Sequence, residues 1–269
     1  MITEELIQQY ERDGAVCVRG AIEPDHAASV LANLGALIED KQDRWTTIRE
    51  GGFSDRHLWP TMPWMYDVCA NSALPEIVGR LMRSDEARLF FDHTFVRDAG
   101  TTQDTPWHQD HPYWPFQGHQ IASAWVALTP CDEDTSSLQF VRGSHAWGKI
   151  FRPIAFGKDS GSSKFLDDNE AFEEVPDIDA APDDYEILCW DVQPGDAIVF
   201  GAEVIHGAKE NSNNASMRAA LSIRYVGDDA KWDPREGTDP IVTPERVGVK
   251  PGESPRNDEW FPRVWAANS

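Results

Sequence analysis

The chain of 269 residues has only 4 cysteines, Cys17, Cys69, Cys131 and Cys189, and no two of them form a C-x-x-C pair. A zinc knuckle and a disulfide scaffold are therefore excluded, and buried free thiols are the expectation. Long apolar runs are missing too: none approaches the ~20 residues a bilayer span requires. The opening "MITEELIQQYERDG" lacks the basic start and apolar stretch of a signal peptide. The expectation is a soluble, cytoplasmic protein with no membrane partner. Basic residues are scarce, with 24 Lys and Arg against 46 Asp and Glu and a formal charge of -22. Nucleic acid is disfavoured as a partner, because phosphate binding depends on clustered cations. An anionic membrane surface is disfavoured on the same ground. There is no G-x-S-x-G element, so a serine hydrolase drops out. No internal repeat or low-complexity linker breaks the chain.

What is present reads as one domain over 1–269, with a helical front (1–85), a β-rich core (86–230) carrying an acidic insert (151–186), and a C-terminal tail (231–269). Thr3 can cap a first helix whose opening turn holds Glu4 and Glu5, and Gly14 ends it. The strand "AVCVRG" follows. Pro24 then suits the start of a second helix, in which Val30, Leu31, Leu34, Leu37 and Ile38 recur at helical spacing. From about residue 86 the period changes. "ARLFFDHTFV", "IASAWVALT", "LQFV", "EILCW", "DAIVFGAEVIH" and "RAALSIRYV" are short, β-branched or aromatic, and separated by turn residues. Many short strands suggest a sandwich or barrel. The tail after Tyr225 is rich in Pro, Gly and charge, and is expected to wrap the surface.

The stretch "TPWHQDHPYWPF", residues 105 to 116, places His108, Asp110 and His111 among four aromatic rings in a chain with only 8 histidines. If it lies on or at the end of a strand, His108 and Asp110 point the same way, and Gln109 and His111 the other. A third ligand is available at the end of "QPGDAIVFGAEVIHG", where the Pro194-Gly195-Asp196 turn launches an apolar strand running to His206. Two histidines and one carboxylate form a facial triad that leaves three octahedral positions open, which suits non-haem Fe(II) working with O2. Twelve residues beyond His206 is Arg218. In "RAALSIRY", Arg218, Ala220, Ser222 and Arg224 share one face, and Ala219, Leu221, Ile223 and Tyr225 the other. The first face suits the floor of a carboxylate pocket, since a guanidinium can hold a carboxylate through two parallel hydrogen bonds.

At these residues the sequence resembles the phytanoyl-CoA dioxygenase family of Fe(II)- and 2-oxoglutarate-dependent oxygenases. "TPWHQDHPYWPF" is similar to the family's H-x-D segment, "AWVAL" to the strand after it, "LQFVRGSH" to its L-x-x-x-P-G-[ST]-H turn, and "GDAIVFGAEVIHGAKENSNNASMRAALSIRY" to its distal His and Arg segment. The resemblance spans roughly residues 5 to 230. It implies a double-stranded β-helix (jelly-roll) core with the N-terminal helices packed outside. It places iron on His108, Asp110 and His206, and the distal carboxylate of 2-oxoglutarate on Arg218. Trp125 and Ser222 are implied as further cosubstrate contacts, with Arg97 where relatives often have Lys. The reaction implied consumes O2 and 2-oxoglutarate and releases succinate and CO2, and the carboxylate at Asp110 favours hydroxylation over halogenation. Two departures stand out. A turn usually written N-G reads Ser136-Ser137, with Arg142 in place of proline, and Arg218 lies one residue further from the distal histidine.

Trp107, Tyr113, Trp114 and Phe116 flank the metal segment and, with Arg224, are the candidate substrate pocket. His57 and His93 could line the same pocket, His145 reads as a turn histidine, and His26 and His119 have no partner pattern. A zinc hydrolase of the H-x-H-x-D-H type is the weaker reading, because Pro106 stands where its first histidine belongs. A silent binding or regulatory protein of the same fold is the other alternative. The substrate expected is a small metabolite, since an acidic chain offers no basic approach for coenzyme A phosphates. Residues 166–186 carry ten carboxylates and no Lys or Arg, and suggest either a solvated excursion or a flap over the pocket.

Overall fold

Thr3 Oγ1 accepts the Leu6 amide at 3.2 Å and Gly14 takes a left-handed φ of 83°, so α1 (Glu4–Asp13) begins and ends where its capping residues direct. The computed structural model describes residues 2–39, 47–49, 51–102, 104–154, 172–235 and 237–267. After α1 come β1 (Ala15–Val18), α2 (Pro24–Glu39), β2 (Thr47–Arg49), β3 (Gly52–Arg56), α3 (Pro63–Ala70), α4 (Leu74–Leu81) and β4 (Glu86–Arg97). The body adds β5 (Thr105–His108), β6 (Phe116–Gln117), β7 (Ile121–Ala127), β8 (Leu138–Val141), β9 (Ile187–Cys189), β10 (Ala197–Gly201), β11 (His206–Ala208) and β12 (Arg218–Val226). Past these lie β13 (Lys231–Trp232), α5 (Pro244–Val247) and β14 (Arg263–Ala266).

Two antiparallel sheets carry the fold. The larger runs β1-β10-β7-β12-β4-β3-β2, with β14 also pairing β4, and the smaller runs β5-β11-β8-β9. The period-two pattern of β12 sorts its side chains as the sequence predicts. Ala219, Leu221, Ile223 and Tyr225 pack outward against Val30, Leu34 and Leu37 of α2 and Leu74 and Val78 of α4 in one apolar cluster. On the opposite face, Ala220 joins Trp125, Ala127, Ile198 and Phe200 against Leu138, Phe140 and Ala208 of the smaller sheet. The two sheets thus enclose an interior, in the double-stranded β-helix arrangement, and the site residues point into it.

Two local expectations are corrected, and the acidic stretch gains partners from outside it. "DAIVFGAEVIH" is not one strand: β10 ends at Gly201 in the larger sheet, a turn closes with Val204 N–H bonded to the Gly201 carbonyl at 3.2 Å, and β11 opens in the smaller sheet. His206 therefore begins a strand rather than ending one. The C-terminal segment does not simply wrap the surface. Trp232 and Phe261 are fully buried beside Phe90 and Phe116, and β14 extends the larger sheet. Nor does the acidic stretch lack counter-charge. Glu173 meets Lys149 at 2.8 Å, Glu174 meets Arg152 at 2.7 Å, and Glu186 meets Arg142 at 2.6 Å, while Ile178 is buried against Val141, Phe151 and Ile205. Residues 155–171, and with them the start of the postulated flap, lie outside the described residues.

Arg142, which replaces the family's proline, ties Asp13 at the end of α1 to Glu186. His145 donates from Nε2 to the Glu11 carbonyl at 3.0 Å, as a turn histidine should. All four cysteines are free thiols. No helix among the described residues is long and apolar enough to cross a membrane.

Candidate metal and cosubstrate site

His108 and His206 lie directly opposite each other on β5 and β11, with ring centroids 4.2 Å apart. Asp110 reaches them differently from the strand alternation expected of "WHQDH". β5 stops at His108, and Asp110 has φ -77° and ψ -32° at the start of the 3-10 turn His111–Tyr113. That turn is locked by Gln109, whose amide nitrogen donates to the Lys149 and Glu203 carbonyls at 3.1 and 2.7 Å. The amide oxygen of Gln109 accepts from Phe151 N at 2.9 Å. The middle residue of the H-x-D segment thus secures the backbone that aims the carboxylate, a role the sequence pattern did not reveal.

The ligand atoms of His108, Asp110 and His206 all lie within 4.8 Å of one another, and all three residues are buried. Asp110 Oδ1 is 3.6 Å from His108 Nε2 and 3.9 Å from His206 Nε2. Each ring meets a backbone carbonyl through Nδ1: Pro106 O at 2.8 Å for His108 and Val204 O at 3.1 Å for His206. A carbonyl only accepts, so both Nδ1 atoms carry the proton and a neutral ring turns the Nε2 lone pair toward the carboxylate. Burial, reinforced by the facing His108, pushes His206 down to about 3, so it is neutral at pH 7. Burial alone would raise Asp110. The two imidazoles and the Arg224 guanidinium around it favour the ionised form more strongly, and the carboxyl is held well below its usual range. Two lone pairs aimed at a carboxylate repel one another unless a cation sits between them. Carbonyl anchoring of the second ring nitrogen is also how metal-ligating histidines are oriented. Phe200 and Phe140 wall the His206 ring at centroid distances of 4.7 and 5.8 Å.

Arg218 supplies the second half of the site. It is 3% exposed, its Nη2 donates to Ser136 Oγ at 3.1 Å, and its Nε and Nη1 are buried without partners. Its guanidinium lies 5.6 Å from the Trp125 ring centre. Burial first, and the cross-strand neighbour Arg97 second, pull its pKa down to about 9. Ser222, paired with Trp125, holds another buried and unpartnered hydroxyl. These orphaned donors form a cradle that fits a carboxylate such as the distal end of 2-oxoglutarate. Arg97 is placed beside them, but it donates to the Lys209 carbonyl at 3.0 Å and to Thr105.

Two members of the site escape motif reading. Ser136 sits at φ 69°, a left-handed conformation rare for a residue with a Cβ. Its hydroxyl donates to Lys209 O at 2.7 Å and thereby presents a lone pair to Arg218. The visible signal is the N-G turn position it occupies. Ser123 Oγ donates to Asp110 Oδ2 at 3.4 Å. The flanking aromatics divide. Tyr113 lies edge-on to His108 at 6.1 Å, and Trp114 packs edge-on to Phe91 at 6.2 Å. Trp107 points away from His108, bonded through Nε1 to Asp179 at 3.0 Å, because adjacent strand residues face opposite sides. Phe116 is fully buried between Phe90, Trp232 and Phe261, outside the interior. His111 donates from Nε2 to Phe116 O at 3.1 Å and faces Glu203, so it is not brought to the triad.

Solved structures share this architecture. The epimerase SnoN, in complex with Fe3+, alpha ketoglutarate and nogalamycin RO, aligns with a TM-score of 0.71 at 21% identity, covering 97% of this chain and 98% of that one. EctD from S. alaskensis, with 2-oxoglutarate and 5-hydroxyectoine, aligns at 0.70 and 17% identity, covering 94% and 85%. In sequence, a probable phytanoyl-CoA dioxygenase of Caenorhabditis elegans is 26% identical over 192 residues, 69% of this chain and 58% of that protein's length. A multifunctional dioxygenase of Aspergillus calidoustus is 22% identical over 239 residues, 83% and 72%. The sequence profile described as phytanoyl-CoA dioxygenase (PhyH) matches residues 10–220, well over half of the protein, and the chain belongs to that family.

Proposed function

We propose that this protein is a cytoplasmic Fe(II)- and 2-oxoglutarate-dependent dioxygenase that hydroxylates a small organic metabolite. The observation that carries the reading is that a metal-ligand cluster and a carboxylate cradle share one interior. Three buried side chains with metal-ligand atoms, His108, Asp110 and His206, converge within 4.8 Å of one another, each histidine anchored through Nδ1 to a backbone carbonyl, and a buried arginine on β12 is left with two empty donors. A divalent cation answers the first and a carboxylate the second. Iron(II) with 2-oxoglutarate and O2 inserts one oxygen atom into a C–H bond and the other into succinate, with CO2 released from the keto acid. In that chemistry His108, Asp110 and His206 would hold the metal, Arg218 and Ser222 would orient the cosubstrate, and Tyr113 would shield the His108 side of the interior. Four free thiols fit a reducing compartment.

The test is iron and cosubstrate stoichiometry under anaerobic conditions, followed by succinate release in air. One Fe(II) and one 2-oxoglutarate per chain, with iron lost in His206→Ala and in Asp110→Ala, is the expected result. Unchanged iron content in His206→Ala would refute the ligand assignment. Full binding of both groups without any succinate, with or without added substrates, would mark a silent binding protein.

A further inference from the structure

Arg224 shares the inward face of β12 with Arg218 and Ser222, yet the metal and the cosubstrate make no use of it. It is buried, its Nη1 donates to the Ser222 carbonyl at 3.0 Å, and its Nε is buried without a partner. Among the described residues no carboxylate forms an ion pair with it. Three rings fix the guanidinium instead: its Cζ is 4.7 Å from the centre of Phe91, 5.8 Å from Trp114 and 5.9 Å from Phe95. The β4 ladder slips opposite Arg224 and Tyr225, and the extra residue admits Phe90 and Phe91 side by side. The carboxylates of Asp110, Asp92 and Asp239 act on it only through space, none of them at ion-pair distance, and a buried charge without a direct partner is strongly unfavourable. Burial lowers the pKa only to about 10, so the group is cationic at neutral pH.

Its position ties this unpaired cation to the chemistry. Arg224 lies directly opposite Ser123 in the β12–β7 ladder, and Ser123 Oγ touches the metal ligand Asp110. The next arginine on the wall behaves differently. Arg56 stands 3.6 Å from Asp239, which also approaches His57 Nε2 at 3.7 Å, so its charge is already answered. One guanidinium without a direct anionic partner, in an aromatic cage and in a chain of net charge -22, matches a single planar monoanion. A phosphate dianion would call for further cations, which this wall does not present.

We propose that Arg224 anchors the substrate through a carboxylate, so that the compound oxidised is a free organic acid with an apolar or aromatic body, attacked within a few bonds of its acid group. The inference rests on the dioxygenase reading above and deepens it. A coenzyme A thioester has no free carboxylate at its acyl end, so thioesters fall outside the class.

The experiment begins with 2-oxoglutarate titrated into the anaerobic Fe(II)-loaded protein by calorimetry. Absence of binding there overturns the dioxygenase reading itself, before the anchor is tested. With 2-oxoglutarate saturating, phenylacetate, cyclohexanecarboxylate and hexanoate are each titrated beside the matching neutral amide. At least one acid is expected to bind tenfold or more tightly than its amide, and that preference should fall below twofold in Arg224→Gln. Arg224→Met is measured in parallel, because it fills the aromatic cage without charge, and either soluble variant decides. Arg218→Gln, studied at raised 2-oxoglutarate, should keep the preference. The proposal is overturned if no acid outbinds its amide, or if the preference survives in the Arg224 variants. A tenfold loss of 2-oxoglutarate affinity in those variants also overturns it, since Arg224 would then serve the cosubstrate.

Discussion

Replacing Arg218 with Met separates two effects that the structure sets in opposition. In the ligand-free protein the guanidinium has one hydrogen bond, to Ser136, and two buried donors with no partner. A pKa drawn down to about 9 means that keeping it charged costs on the order of 5 kcal/mol relative to water. Arg218→Met should therefore leave the ligand-free melting temperature equal to the wild type or above it. Cosubstrate binding should move the other way. Loss of the charged partner of a buried carboxylate weakens binding by about 2–4 kcal/mol, a factor of roughly 30 to 900. With 2-oxoglutarate at about a hundred times the wild-type Kd, mass action stabilises the wild type by about 2.7 kcal/mol. For a chain of this size that is a shift of about 5–10 °C. The variant at the same concentration should retain less than about 1 kcal/mol, a shift of about 3 °C or less. Thermal scanning of the metal-loaded protein with and without 2-oxoglutarate measures both. An undiminished ligand shift in Arg218→Met, or a collapse of its ligand-free melting temperature, would refute the assignment of a vacant cradle to Arg218.

Burial, then the charges of Arg224 and Arg56, holds His93 well below the usual histidine range, beside Ser54 Oγ at 2.7 Å. The folded state keeps it neutral while the unfolded chain protonates near pH 6.5. Its contribution is thus complete above pH 6.5 and declines as pH falls, by up to about 1.4 kcal/mol per pH unit. Urea unfolding between pH 6.5 and 5 should show a flatter decline for His93→Gln than for the wild type, and parallel curves would contradict this. Phe261 is fully buried against Phe90, Phe116 and Trp232, so Phe261→Ala should lose about 3–5 kcal/mol in urea unfolding. A loss below about 1 kcal/mol would mean that the C-terminal segment only covers the surface. Breaking the Gln109 amide bonds with Gln109→Leu frees the turn that aims Asp110, so iron affinity should drop by about 10- to 100-fold while the fold persists. Wild-type affinity in that variant would show that the turn is rigid without them.

Rules that act within a few residues are legible in the amino-acid order alone. Thr3 and Gly14 bound α1 because capping depends only on neighbouring backbone groups. The alternation in "RAALSIRY" divides β12 into a helix-facing side and an interior side because strand side chains alternate regardless of the partner. Residue chemistry and family spacing single out His108, Asp110, His206 and Arg218, since only those side-chain types can serve a metal and a carboxylate. Tertiary pairing decides the rest. The change of sheet between Gly201 and His206, the outward turn of Trp107 onto Asp179 and the burial of Phe261 depend on which strands and segments pack together. So does the isolation of Arg224 among Phe91, Phe95 and Trp114. A guanidinium is the same in sequence whether a carboxylate pairs with it or not; only the packing of β12 against β4 and the turn after β5 set this one among rings, with no carboxylate at ion-pair distance among the described residues.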